Sequence, residues 1–288
     1  MKRFAKHSYI ILWVLTCLVI VPTMLIINGC KEETTPKLED EPDRLPSSIV
    51  TTPIPTAPSG DSTTVPTTTL PPTPTQPINT GSSLNVPDKN ETIAFPKTLF
   101  IGDSRTVGLR DYVSIPEAVF FCDVGLSSNN VTTKAIKVPG VSDSIKLADL
   151  LTQREFDTVY IMLGINEIGG TLTAIAAKYQ GIIDLVLEKR PNAIVIVQST
   201  LHVTAAKNAS EVNKGGYFTN ARIDKLNSYL QQLTNGVNVQ YLDMNPMFDD
   251  ANGCMHADAA AGDGIHIKAK YYLIWRKYLD TYRLQTTA

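Results

Sequence analysis

"LFIGDSRTVGL", Leu99 to Leu109, runs from an apolar stretch through a Gly-Asp-Ser turn into what reads as a helix starting near Thr106. Four more apolar runs follow it: "AVFFCDVG", Ala118 to Gly125; "DTVYIMLG", Asp157 to Gly164; "AIVIVQST", Ala193 to Thr200; and "VQYLDMN", Val239 to Asn245. Their β-branched and aromatic content marks them as strands. Among them lie helical patterns, "LTAIAAKYQGIIDLVLEKR" and "ARIDKLNSYLQQLTN", and "KAKYYLIWRKYLDTYRL" closes the chain with a face in which "YYLIW" reads as core. Near-continuous apolar strands alternating with helices imply an α/β fold with a central, mostly parallel five-stranded sheet covered on both faces. In such sheets ligands bind beyond the carboxyl ends of the strands, so chemistry is sought in the polar residues that end each run.

The alternating pattern occupies only residues 93–288. The amino-terminal segment 1–30 opens with a basic flank, Lys2, Arg3 and Lys6, followed by an uncharged run from Tyr9 to Ile27 about long enough to cross a bilayer. The positive-inside rule puts the flank and His7 in the cytoplasm and everything beyond outside. "IINGC" resembles a bacterial lipobox, which leaves two readings open, an uncleaved helix or a lipid on Cys30. Both give an extracytoplasmic protein tethered to the membrane. Residues 31–92 are rich in Thr, Pro and Ser with little that could form a core, and read as a disordered linker. Roughly sixty residues of polyproline-like chain at ~3.1 Å each reach on the order of 200 Å.

The 26 basic and 28 acidic residues give a formal charge of -2, which supplies no footprint for a phosphate backbone, so nucleic acid is not expected as a partner. Cys17, Cys30, Cys122 and Cys254 show neither a C-x-x-C pair nor metal-ligand spacing. Cys122 and Cys254 read as small buried thiols, with a pairing left open. "HAD" at His256 to Asp258, with His266 nearby, matches no metal motif, and no metal or cofactor is expected.

The strand ends carry "GDSR", "DVGLSSNN", "LGINE", "STLHVT" and, in the last loop, "GDGIH". Each alone is ordinary: Ser104, for example, also reads as a helix N-cap. Together and in this order they resemble the SGNH, or GDSL-type, esterase and lipase family, named for Ser, Gly, Asn and His in four blocks. The blocks are "GDSR" with Ser104, "DVGLS" with Gly125, "GINE" with Asn166 and "DGIH" with Asp263 and His266. The resemblance runs from about Thr98 to Leu284 and implies a three-layer α/β/α, flavodoxin-like fold and a serine hydrolase. It implies Ser104, Asp263 and His266 as catalytic residues. It also implies Ser104 N–H, Gly125 N–H and the Asn166 amide as the oxyanion hole.

The residue types suit the chemistry. A serine hydroxyl needs a base oriented by a third group, and Asp263 lies one turn before His266 on the same loop. Asp103 adjoins Ser104, but successive side chains leaving a strand diverge, so it is expected to brace the turn. Arg105 is a candidate substrate contact or a partner for Glu167 or another acid. His202 is a candidate substrate contact or a loop histidine bonded to backbone. The polar "TAAKNASEVNKGGYFTN" is expected to form a substrate rim. Neither a Gly-x-Ser-x-Gly elbow nor a nucleotide-binding glycine loop is present. The expected function is hydrolysis of short acyl or acetyl esters, with cell-wall or other carbohydrate as the leading carrier. The same triad would serve an O-acyltransferase acting on polysaccharide, and the fold alone would serve a non-catalytic wall-binding module.

Overall fold

A computed structural model of the chain describes residues 84–88 and 93–286. The segment Tyr9 to Ile27, Cys30 and the linker up to residue 83 lie outside the described residues. Among the described residues no helix is long and apolar enough to cross a membrane.

In chain order the elements are β1 (Thr98–Gly102), α1 (Ser104–Tyr112), β2 (Val119–Cys122), β3 (Ile136–Lys137), β4 (Ser144–Ile145), α2 (Leu147–Gln153), β5 (Thr158–Met162), α3 (Leu172–Lys189), β6 (Ile194–Gln198), α4 (Ala205–Lys214), α5 (Asn220–Gln232), β7 (Val239–Leu242) and α6 (Tyr272–Thr286). Five strands form one sheet in the order β2-β1-β5-β6-β7, every neighbour parallel. β3 and β4 make a separate two-stranded antiparallel ribbon. All five expected strands are present, as are the three expected helices.

Alternation along the strands divides the interior into two layers. Leu99, Ile101, Val159, Ile161, Val195 and Val197 turn to one face, where they meet Leu150 of α2, Ile182 of α3 and Leu226 of α5. Phe100, Tyr160 and Ile196 turn to the other, under Leu109 of α1 and Trp275 and Leu279 of α6. The result is the three-layer α/β/α sandwich. On the second face Phe100 stacks between Phe120 and Tyr160, both ring centroids 4.9 Å away, because register places all three side by side on β2, β1 and β5. Trp275, wholly buried, donates from Nε1 to Gln198 Oε1 at 3.2 Å and ties α6 to β6. Leu84 and Val86, within the stretch expected as linker, also pack against this layer.

Two of the remaining helices depart from the sequence expectation. α1 begins at Ser104 rather than near Thr106, because Asp103 caps it by accepting from Arg105 N–H at 2.9 Å. The polar stretch expected as a rim forms α4, which buries none of its residues but is closed by Thr204 at its N-cap and by Gly215 in the left-handed region (φ 66°) at its end.

Candidate active site

The β1–α1 junction turns within two residues, and the helix lies so close that a Cβ on Gly102 would overlap Thr106 Oγ1 and Met162 O. Asp103 and Arg105 are both buried there and form an ion pair, Arg105 Nη2 to Asp103 Oδ2 at 2.8 Å and Nε to Oδ1 at 3.1 Å. With the cap taken by Asp103, the Ser104 hydroxyl is left for other work. Ser104 Oγ sits 2.8 Å from His266 Nε2.

His266 comes from the loop before α6. Ala261 N–H donates to His266 O at 2.7 Å, closing a tight turn that presents Asp263 and His266 side by side. Gly264, at φ 72°, presses so closely on Thr204 and Lys207 that a side chain would not fit, and Thr204 N–H donates to its carbonyl at 3.0 Å. The first turn of α4 therefore buttresses this loop.

Asp263 Oδ2 lies 2.5 Å from His266 Nδ1, while Oδ1 accepts from Ile265 N–H and His266 N–H, both at 3.0 Å. Partial burial works to raise the Asp263 carboxyl, but the His266 and backbone hydrogen bonds outweigh it and hold the group down at about 2. An ionised carboxylate only accepts, so Nδ1 carries the proton and Nε2 is left as the acceptor facing Ser104. This is the arrangement that turns a weak hydroxyl into a nucleophile.

Gly125 stands in the left-handed region at φ 73° on the loop after β2, exposed, with nothing near where a side chain would be. Neither its N–H nor that of Ser104 has a hydrogen-bond acceptor among the described residues. Asn166, on the loop after β5, donates one amide hydrogen of Nδ2 to Leu126 O at 2.9 Å, which leaves the other available. Beside it, buried Glu167 accepts from Ser128 N–H at 2.6 Å. Two hydrogen bonds thus join the loops that carry Gly125 and Asn166.

Residues 100–274 match the profile of the GDSL-like Lipase/Acylhydrolase family. The chain belongs to this family. The GDSL-type chain is accordingly an ester-hydrolysing serine hydrolase with the α/β fold of the SGNH group. It resembles a GDSL-like lipase from Bacteroides thetaiotaomicron VPI-5482 at 14% identity and TM-score 0.48, over 70% of this chain and 93% of that one. It also resembles a carbohydrate esterase family 3 protein from Talaromyces cellulolyticus at 14% identity and TM-score 0.46, over 67% of this chain and all of the other. No curated protein matches the chain.

For two other side chains of the hydrolase the sequence leaves two roles open. Arg105, a candidate substrate contact or partner of Glu167 or another acid, is 1% exposed and takes the second role, with Asp103 as the acid. Burial works against its charge, but Asp103 more than compensates and raises its pKa. Asp103 braces the turn, as expected. His202 is bonded not to backbone but to two carboxylates, Nδ1 to Asp249 Oδ2 at 2.7 Å and Nε2 to Asp224 Oδ1 at 2.8 Å. With both nitrogens engaged it has no ring nitrogen free for a substrate. Burial lowers its pKa, yet the two acids prevail and raise it to about 9. His202 lines a cavity of about 550 Å³ between α5 and the loop after β7.

Cys122 is buried and Cys254 half-buried, and they are not paired with each other. Among the described residues no group of three or more His, Cys, Asp or Glu side chains converges as metal ligands would.

Sequence reasoning also missed what holds the loop after β6. Asn227 brackets Thr200, accepting from its N–H at 2.8 Å and donating to its carbonyl at 2.9 Å. Asn220 does the same for Val203 at 2.8 and 3.1 Å, and Asn245 accepts from His202 N–H at 2.8 Å. Asn220 and Asn227 are seven residues apart, which places them on one face of α5, the one legible hint of this role.

Proposed function

We propose that this chain is an extracytoplasmic, membrane-tethered serine esterase that removes short acyl groups, acetyl foremost, from carbohydrate. The observation that carries the reading is the unbroken contact from Ser104 Oγ through His266 to Asp263. His266 Nε2 takes the proton of Ser104 as Oγ attacks the ester carbonyl, and Asp263 stays ionised to hold the imidazolium. The negative charge that develops on the carbonyl oxygen meets Ser104 N–H, Gly125 N–H and the spare Asn166 amide hydrogen. His266 then protonates the leaving alcohol, and water, activated by the same base, releases the acid from Ser104.

Support for the location is the basic flank, the apolar run and the long Thr/Pro-rich segment. A short acyl group on a polar carrier accords with the polar residues near the site, Asn129 and Thr171 in a cavity shared with Asn166 and Thr204 and Asp250 in one shared with Asp263.

A fluorophosphonate probe and p-nitrophenyl acetate test the chemistry. The full-length protein should label and hydrolyse, and Ser104→Ala should do neither. A wild-type protein that neither labels nor turns over the ester would refute the triad. Fractionation tests the location: the protein should stay with washed membranes and be cut by protease added outside, and recovery in the cytosol would overturn it.

A further inference from the structure

A cavity of about 290 Å³ is lined in part by Asn166, and none of Ser104, Asp263 and His266 lines it. Its wall is polar and of mixed character. Lys178 donates to Asn129 Oδ1 at 2.5 Å and has no carboxylate partner among the described residues. Thr171 occupies the N-cap position of α3, yet its hydroxyl makes no capping bond. Glu167, 7% exposed, spends Oε1 on Ser128, while Oε2 has no donor among the described residues. Oε2 is itself shut off from the cavity, so the polar groups open to a ligand are those of Lys178, Asn129 and Thr171.

The floor of the cavity includes Gly169, and the ring of Tyr217 lies against that glycine so closely that an added Cβ would stand 3.0 Å from Tyr217 Cδ2. Arg222 sits 5.6 Å from the ring centroid and is itself fixed by Ile168 O at 2.6 Å and Gly170 O at 2.5 Å. Tyr217 is thus held in place from two directions and still 56% exposed. It therefore offers a fixed aromatic face beside the cavity.

These groups discriminate between ligand classes. A fatty acyl chain would strip water from Lys178, Asn129 and Thr171 and return no hydrogen bonds. A simple anion would leave the Tyr217 ring uncovered. A ligand bearing several hydroxyls can accept from Lys178, exchange a hydrogen bond with Thr171 and lay an apolar ring face on Tyr217 at once. The C–H bonds of a pyranose carry their positive ends outward, which suits the negative face of an aromatic ring.

We propose that this cavity, with Tyr217 at its rim, is the subsite for the sugar unit that carries the acyl group. The proposal rests on the esterase reading above, because Asn166 belongs both to the cavity and to the oxyanion donors.

The test uses the full-length protein, Lys178→Ala and Tyr217→Ala singly and together, and O-acetylated xylo-, chito- and mannotetraose beside p-nitrophenyl acetate. Both side chains are exposed, so the variants should fold, which circular dichroism checks. For at least one sugar ester the double variant should lower kcat/KM about tenfold more than it does for p-nitrophenyl acetate, chiefly through KM. In the Ser104→Ala background, calorimetry should detect binding of the corresponding deacetylated tetraose, weakened by a similar factor when the two substitutions are added. Equal losses on both kinds of ester would overturn the subsite, as would tetraose binding that is absent or indifferent to the substitutions. Failure to hydrolyse p-nitrophenyl acetate would instead remove the esterase reading, and the calorimetric arm would still decide the subsite.

Discussion

Replacing His202 with Gln separates a charge-dependent clamp from ordinary packing. His202 joins the loop after β6 to α5 through Asp224 and to the loop after β7 through Asp249. Asp224 is 64% exposed and Asp249 only 16%, so the Asp249 contact should carry most of the energy. A pKa raised from 6.5 to about 9 corresponds to ~3 kcal/mol of stability tied to the bound proton. The folded protein holds the proton more tightly than the unfolded chain does. Stability from this source is therefore fully present below pH 6.5 and is lost as pH rises through about 9.

Urea unfolding of wild type and His202→Gln at pH 6, 7.5, 9 and 10 measures it. At pH 6 the variant should be less stable by ~3 kcal/mol, or roughly 6–12 °C in Tm for a domain of this size. By pH 10 nearly all of that gap should be gone, because it is tied to the bound proton. Comparing the two proteins cancels the groups remote from His202; Asp249, which burial raises and His202 lowers, is raised further in the variant. A gap that is constant across the range, or that widens with pH, would refute the imidazolium clamp.

Substitutions at three positions probe the active site. Asp263→Asn should lower kcat by ~10² to 10⁴, because an amide can donate to Nδ1 and stabilise the wrong tautomer, while urea unfolding changes little at this half-exposed position. Asn166→Ala should cost about 2.7–4 kcal/mol of transition-state stabilisation, read as a fall in kcat with KM nearly unchanged; a parallel rise in KM would assign the amide to ground-state binding instead. Glu167→Ala leaves the buried Ser128 N–H without an acceptor and should lower both kcat and stability, the latter by ~1–3 kcal/mol, whereas Glu167→Gln, which keeps an acceptor oxygen, should recover most of both. Equal damage by Ala and Gln would mean that the negative charge, not the loop-to-loop hydrogen bond, is what matters.

What the sequence made legible follows from range. The five strands announce themselves because each is a local run of β-branched and aromatic residues destined for burial on both faces, as in "IVIVQ" of β6. Ser104, Gly125, Asn166, Asp263 and His266 could be picked out because the short stretches around them, in this order at strand ends and in the last loop, resemble the four blocks of the SGNH family. α2 escaped notice because it has only seven residues and no side-chain cap. α4 escaped because it buries nothing, and the signals that it did carry, Thr204 and Gly215, read equally well as turn residues. Which of two adjacent residues caps α1 was beyond pattern reading as well, since Asp and Ser are near-equal caps. The partners of His202 lie 22 and 47 positions away, and no local pattern links residues brought together only by the packing of α5 and the loop after β7.

The α1 cap bears most directly on the chemistry. Had Ser104 served as the cap, its oxygen would have been committed to a backbone N–H, and a hydroxyl held that way is poorly placed to face a base 162 residues later. Asp103 removes that competition by accepting from Arg105 N–H itself. A carboxylate buried at a helix start would be costly alone, and the guanidinium of Arg105, equally buried, makes it tolerable. The residue after Ser104 thus supplies the charge that lets the residue before it do the capping. Arg105→Met should therefore damage activity as well as stability, because an uncompensated Asp103 would disturb the turn on which Ser104 Oγ is aimed. The stability loss should be about 3–5 kcal/mol, as for breaking one side of a buried pair. A variant that loses that much stability yet, when folded, keeps the wild-type rate of fluorophosphonate labelling would show that Ser104 is aimed without the ion pair's help.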